Sequence, residues 1–180
     1  IEGFDWGAAV SKVILSLNEV VSTANKENYL VQVKRTSDCA TLSGKLAEGT
    51  IPVLNAYVSD EKGNRAERGA YITLLTLVSP FDEINSPIKY ITGGKCAGGN
   101  HWVDYRLTIS NKKTYEVWIK EKKRIIPLID EFDLSGRYIY DDNLAFTYAS
   151  FSPKSKAEKN PLIIWLHGGG EGGTDPTIPL

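Results

Sequence analysis

The segment Pro161–Asp175 reads Pro-Leu-Ile-Ile-Trp-Leu-His-Gly-Gly-Gly-Glu-Gly-Gly-Thr-Asp, and its residue types define a chemistry. Leu162–Leu166 is a short, continuously apolar run, the pattern of a strand covered on both faces. His167 and the glycines Gly168, Gly169 and Gly170 follow at once. A loop brings its N–H groups close to a substrate only where no side chain blocks the approach, and glycine meets that condition. Acyl transfer from an ester builds negative charge on a carbonyl oxygen, and preorganised donors aimed at that oxygen are commonly the largest catalytic term. Gly169, Gly170 and Glu171 are therefore candidate backbone donors to an oxyanion, and spacing does not choose among them. His167 and Gly168 are expected to position the loop, His167 through side-chain hydrogen bonds and not as a catalytic base.

A flexible turn after a strand needs only the glycines and leaves the histidine unexplained. A phosphate cradle needs Gly-Lys-Ser/Thr, and Gly173-Thr174 has no lysine. Glu171 and Asp175 lie in one loop with no partner to make them an acid/base pair. His101, in Gly98-Gly-Asn-His-Trp102, reads as a loop or strand-edge residue. Trp6, Trp102 and Trp118 offer a sugar-stacking face, or simply strand packing, since aromatics favour strands.

The elements that must position this loop come earlier in the chain. Apolar or alternating runs recur at Val10–Leu17, Tyr29–Lys34, Val53–Val58, Ala70–Val78, Ile88–Thr92, Trp102–Ser110 and Thr114–Lys120, with turn-forming clusters between them. Such spacing predicts an antiparallel sandwich, immunoglobulin-like in architecture. Ala70–Val78 is apolar on both faces and is expected to be central. Lys120-Glu-Lys-Lys-Arg124 reads as a solvated strand end, and Pro127 discourages continuation of a helix or central strand there. Residues 1–124 are thus expected to form the sandwich, 125–135 a linker and 136–180 a second unit. That unit begins with a hairpin, Gly136–Tyr140 and Leu144–Phe151 around a turn at Asp141–Asn143. A polar loop, Ser152–Asn160, leads into a buried strand at Pro161–Leu166.

Composition narrows the partners. The 180 residues are 42% hydrophobic and 24% charged, with a formal net charge of −1. That balance argues against a nucleic-acid or membrane-surface partner, which needs a clustered basic field. No apolar stretch approaches the roughly 20 residues that span a bilayer. Ile1–Trp6 has neither the basic nor the apolar region of a signal peptide, although a chain trimmed at its maturation site would look the same. Cys39 and Cys96 permit one disulfide or two free thiols. No Cys-x-x-Cys is present and His101 and His167 are the only histidines, so no metal site is expected.

Leu162–Asp175 resembles the third-strand and oxyanion-loop segment of bacterial α/β-hydrolase esterases related to feruloyl, acetyl-xylan and polyhydroxybutyrate-depolymerase-like enzymes. Phe146–Phe151 running to Ser152-Pro153 resembles their opening strands. Some of these enzymes carry an immunoglobulin-like domain ahead of the catalytic one, and Phe4–Leu17 with Ala56–Gly63 is similar to it. The resemblance implies a mainly β chain: an immunoglobulin-like sandwich followed by the first strands of an incomplete α/β-hydrolase domain. It implies a serine carboxyl-ester hydrolase acting through an acyl-enzyme, with no cofactor. Substrates would be plant-polysaccharide or other short acyl esters, and the address secreted or cell-envelope. The family's oxyanion loop falls on His167–Glu171. Its nucleophile elbow, Gly-x-Ser-x-Gly, has no match in the chain, and the acid and base that follow it in the family's order are absent too. These residues alone are therefore expected to be inactive. Apolar edges after residue 131 are expected to be covered by the remainder of the hydrolase domain or by a second copy in a homo-oligomer. The competing class is a non-catalytic sandwich that docks on carbohydrate or a subunit.

Overall fold

In Tyr29–Thr36 burial alternates residue by residue: Tyr29, Val31, Val33 and Arg35 are buried, Gln32, Lys34 and Thr36 face out, and Leu30 is half-buried. This is the period-two signature of a strand with one face on a core. The chain is seen here as a computed structural model that describes residues 1–141, 144–154, 157 and 159–180. Within these, the strands are β1 (Glu2–Phe4), β2 (Gly7–Ala9), β3 (Lys12–Val21), β4 (Tyr29–Thr36), β5 (Glu48–Ile51), β6 (Val53–Ser59), β7 (Gly69–Thr76), β8 (Ile88–Ile91), β9 (Gly99–Trp102), β10 (Asp104–Asn111) and β11 (Val117–Trp118). A one-turn helix, α1 (Pro127–Asp130), precedes β12 (Asp133–Asp141) and β13 (Leu144–Ser150).

Two antiparallel sheets form the sandwich, one in the order β11-β10-β4-β5 and one in the order β3-β7-β6. Their inner faces meet in one cluster that includes Leu15, Val31, Val33, Ile72, Leu74, Tyr105 and Ile109. The mainly β, immunoglobulin-like architecture expected from the spacing is present. So is the central place of β7, which pairs β3 on one side and β6 on the other. Fully burying one Leu or Val side chain contributes about 1.5–3 kcal/mol, so this cluster is the dominant favourable term in the fold.

Several expected boundaries differ. Trp102–Ser110 is not one strand: Val103 breaks it, donating its N–H to the Pro87 carbonyl at 2.9 Å. Residues before Val103 pair with β8 and residues after it pair with β4. Thr114–Lys120 shrinks to Val117–Trp118 because Asn111 Oδ1 accepts from the N–H groups of Lys113 and Thr114 and folds that stretch into a turn. Pro127 opens α1 as its first residue, where proline's fixed φ and missing N–H carry no penalty. β12 starts at Asp133, inside the stretch expected to be linker.

The expected hairpin of the second unit is formed by β12 and β13, with Tyr138 opposite Phe146. Asp142 and Asn143 of its turn, and Ser155, Lys156 and Glu158 of the polar loop, lie outside the described residues. The expected buried strand at Pro161–Leu166 is not found. Leu162–Leu166 has no regular secondary structure and is 73–86% exposed. An all-apolar strand needs pairing on both edges and cover on both faces, and none of the described residues supplies either. Hydrogen exchange on this chain should show strong protection across β7 and near-unprotected rates at Ile163–Leu166. Slow exchange at both would contradict this arrangement.

Candidate functional site

β8 and β9 form a two-stranded ribbon with Ile88 opposite Trp102 and Tyr90 opposite Asn100. The ribbon is fastened to the sandwich at several points. Arg35 sits at a core-facing position of β4 with no exposure, and its guanidinium donates to the Leu46 and Ile88 carbonyls, each at 3.2 Å. Burial pulls its pKa below the usual arginine value, and the Glu83 carboxylate works against that. Cys39, after β4, and Cys96, in the turn between β8 and β9, form a disulfide with Cα atoms 5.4 Å apart. The alternative of two free thiols is thereby settled. His101 lies on β9 with Nε2 3.1 Å from the Cys96 carbonyl. A carbonyl only accepts, so Nε2 carries the proton. The ring braces the disulfide turn, as expected for a strand-edge histidine.

The segment after Leu166 rests on this ribbon. Gly169–Glu171 is a short 3-10 turn, closed by the Glu171 N–H on the Gly168 carbonyl at 3.2 Å. The Glu171 carboxylate folds back over the turn. A Cβ placed on Gly168 would meet Glu171 Oε2 at 2.7 Å, so a side chain at 168 would displace the carboxylate from this position. The other oxygen, Oε1, accepts from Asn100 Nδ2 at 3.2 Å. Trp102 Nε1 donates to Thr177 Oγ1 at 2.7 Å, and that hydroxyl donates to Asp175 Oδ1 at 2.6 Å. Gly173 has φ +139, a region that side chains rarely enter. Thr147 on β13 donates to the Thr174 carbonyl at 3.0 Å. The segment thus touches both the sandwich and the hairpin.

Among the five residues predicted from sequence, the structure brings Gly168, Gly169, Gly170 and Glu171 into one turn, with His167 beside it. His167 Nδ1 is 2.7 Å from the Gly168 carbonyl, so the ring bonds the loop itself. The N–H of Glu171 is occupied within the turn. Gly169 and Gly170 begin the turn, where N–H groups have no partner inside a helix. Asn100 and Trp102, which hold the segment, were missed as site residues. Their only sequence signal was nearness to the glycine-rich stretch Gly93–Asn100.

An open groove of about 720 Å³ lies between the ribbon and this segment. Asp38, His101 and Asp104 line its sandwich side and Gly172–Asp175 the other. Arg106 beside Asp104, bonding it at 2.9 Å, holds that carboxyl below the usual range. Ligand atoms of Cys39, Cys96 and His101 lie within 4.8 Å of one another, but both sulfurs are spent in the disulfide and are not thiolate ligands. Trp6, Trp102 and Trp118 each have different partners. Trp6 stacks on Phe4, Trp118 packs against the core and Trp102 contacts the tail. Arg124 in the basic run bonds Glu121 at 2.8 Å.

Removing the disulfide, as Cys39→Ser with Cys96→Ser, should lower unfolding free energy by up to about 4 kcal/mol in the chain-entropy picture. Urea denaturation reads this, and an unchanged midpoint would show that the ribbon is held without the bridge.

Three comparisons bear on this geometry. A family described as the esterase Ig-like N-terminal domain matches residues 1–119. No curated protein matches the chain. A solved structure described as a thermostable esterase is similar over 98% of this chain, at 22% identity and a TM-score of 0.67. The chain spans about half, 48%, of that protein's length. The likeness in fold therefore extends past the sandwich into the hairpin and the tail.

Proposed function

Because this chain belongs to the esterase Ig-like N-terminal domain family, we propose that it is the N-terminal part of a serine carboxyl-ester hydrolase. In this reading residues 1–124 are the accessory domain, 125–135 a linker, and 136–180 the start of an α/β-hydrolase domain that carries half of the oxyanion hole. The observation that carries it is the seating of the Gly168–Glu171 turn against β9, directly after an apolar run with hydrolase-strand character. Gly169 and Gly170 are the favoured donors, since the Glu171 N–H already bonds Gly168. Both lack the side chains that would fend off a substrate carbonyl.

The chemistry follows from charge. A serine hydroxyl, deprotonated by a histidine base, adds to the ester carbonyl carbon. The carbonyl oxygen becomes an oxyanion and receives the loop's N–H groups. The alcohol leaves with the proton, and water then hydrolyses the acyl-enzyme. No metal or organic cofactor is required. The serine, base and acid come from polypeptide outside residues 1–180. That polypeptide also supplies the neighbours that Leu162–Leu166 lacks, turning five exposed apolar side chains into the core of a parallel sheet. Short acyl esters, including those on plant polysaccharides, are the proposed substrates. The disulfide supports an oxidising address, secreted or cell-envelope.

The test compares residues 1–180 with the whole protein that contains them. The whole protein should hydrolyse p-nitrophenyl acetate and lose that activity to a serine-directed phosphonate, while residues 1–180 alone should be inactive. A whole protein with no phosphonate-sensitive turnover, or a fully active short chain, would defeat the reading.

A further inference from the structure

We propose that Asn100, on β9 of the accessory domain, is a positioning residue for ester hydrolysis: through the Glu171 carboxylate it holds the oxyanion loop in shape. This role rests on the esterase reading and gives the sandwich a part in turnover itself.

Asn100 and Glu171 are 71 residues apart in sequence, yet Asn100 Nδ2 donates to Glu171 Oε1 at 3.2 Å. The second carboxylate oxygen occupies the space a side chain would need at Gly168. One carboxylate therefore joins β9 of the disulfide-bridged ribbon to the first residue of the loop. The same glutamate closes the turn with its N–H on the Gly168 carbonyl. Gly170 lies against the Tyr90 ring, 3.3 Å from a Cβ built on it, and its carbonyl faces Gly99. The back of the turn is thus supported by Tyr90, Gly99 and Asn100, all on the disulfide-bridged ribbon.

The amide side chain suits the task. It donates to a carboxylate without adding charge, and a bond to an ionised acceptor is stronger than a neutral one. Only interactions in place before reaction assist without reorganisation. If the bond is lost, the Glu171 side chain is free to rotate and the turn can shift the Gly169 and Gly170 N–H groups. A displacement of about 1 Å in a catalytic constellation costs on the order of 100-fold in rate. An aspartate at 100 would set two carboxylates face to face and push the turn away.

The experiment is steady-state p-nitrophenyl acetate hydrolysis by the whole protein, with hydrogen exchange of residues 167–173 measured alongside. Asn100→Ala should lower kcat between about 10- and 100-fold while KM stays within about threefold. Asn100→Asp should lower it at least as far, and Asn100→Gln should recover part of the loss. In a Glu171→Ala background, Asn100→Ala should change kcat by less than about twofold, because the two act as one unit. Exchange at 167–173 should quicken in Asn100→Ala with β7 protection unchanged. Wild-type kcat in Asn100→Ala, or losses that multiply with those of Glu171→Ala, would overturn the role. Should Asn100→Ala unfold the sandwich, seen as lost β7 protection, the size-preserving Asn100→Asp decides, and wild-type kcat there overturns it. A wild-type protein without ester hydrolysis defeats the esterase reading and this role with it. An active wild type with an unaffected Asn100→Asp defeats the positioning role alone.

Discussion

A two-stranded antiparallel ribbon is marginal in water when left to itself, and the tail that carries the candidate chemistry leans on one such ribbon, β8–β9. Its conformation is imposed from outside. The disulfide ties its turn to the stretch after β4, Arg35 grips the Ile88 carbonyl, and Val103 bonds Pro87 at its base. Without that seating Asn100 and Trp102 would have no fixed place from which to hold Glu171 and Thr177. The sandwich is therefore the support of the loop, and not merely its neighbour in sequence.

Arg35 explains how a core position can serve a surface feature. By strand alternation it follows Tyr29, Val31 and Val33 into the interior, where burying a charged group is costly unless it is paired or hydrogen-bonded. Its planar fork reaches two carbonyls far apart in sequence, at Leu46 and Ile88. A leucine at 35 would fill similar space and leave both carbonyls unanswered. Neighbouring buried polar groups do related work: Tyr105 donates its hydroxyl to the Ile84 carbonyl, and Asn85 donates to the Leu77 carbonyl. Burial raises the Tyr105 pKa well above the tyrosine range, so the hydroxyl stays a donor at any ordinary pH. Together these bonds pin residues 83–91 and, through them, the ribbon.

The second unit shows the opposite balance. β12 and β13 pair as an antiparallel hairpin with two register shifts, and Tyr138, Ile139, Phe146 and Tyr148 are exposed on it. The apolar run at Leu162–Leu166 is more exposed still. Its composition is that of an interior strand, and its surroundings in this chain are those of a loop. Contiguous exposed apolar surface on this scale is of the kind that interfaces use, and further polypeptide completing the sheet is the proposed cover.

What the sequence alone determined was whatever depends on local period and residue type. Alternation marked β4 and β6, two-sided hydrophobicity placed β7 at the centre of its sheet, and the glycines after His167 marked a tight turn. Non-local facts were beyond it. The Cys39–Cys96 bridge, the break at Val103 and the seating of Asn100 against Glu171 each join residues whose separation carries no periodic signal. The apolar run misled for the same reason: composition states what an element requires around it, and only the tertiary structure decides whether those neighbours are there. A hydrogen bond between residues 71 positions apart exists because two sheets pack, a ribbon is stapled to them, and a tail is laid across it.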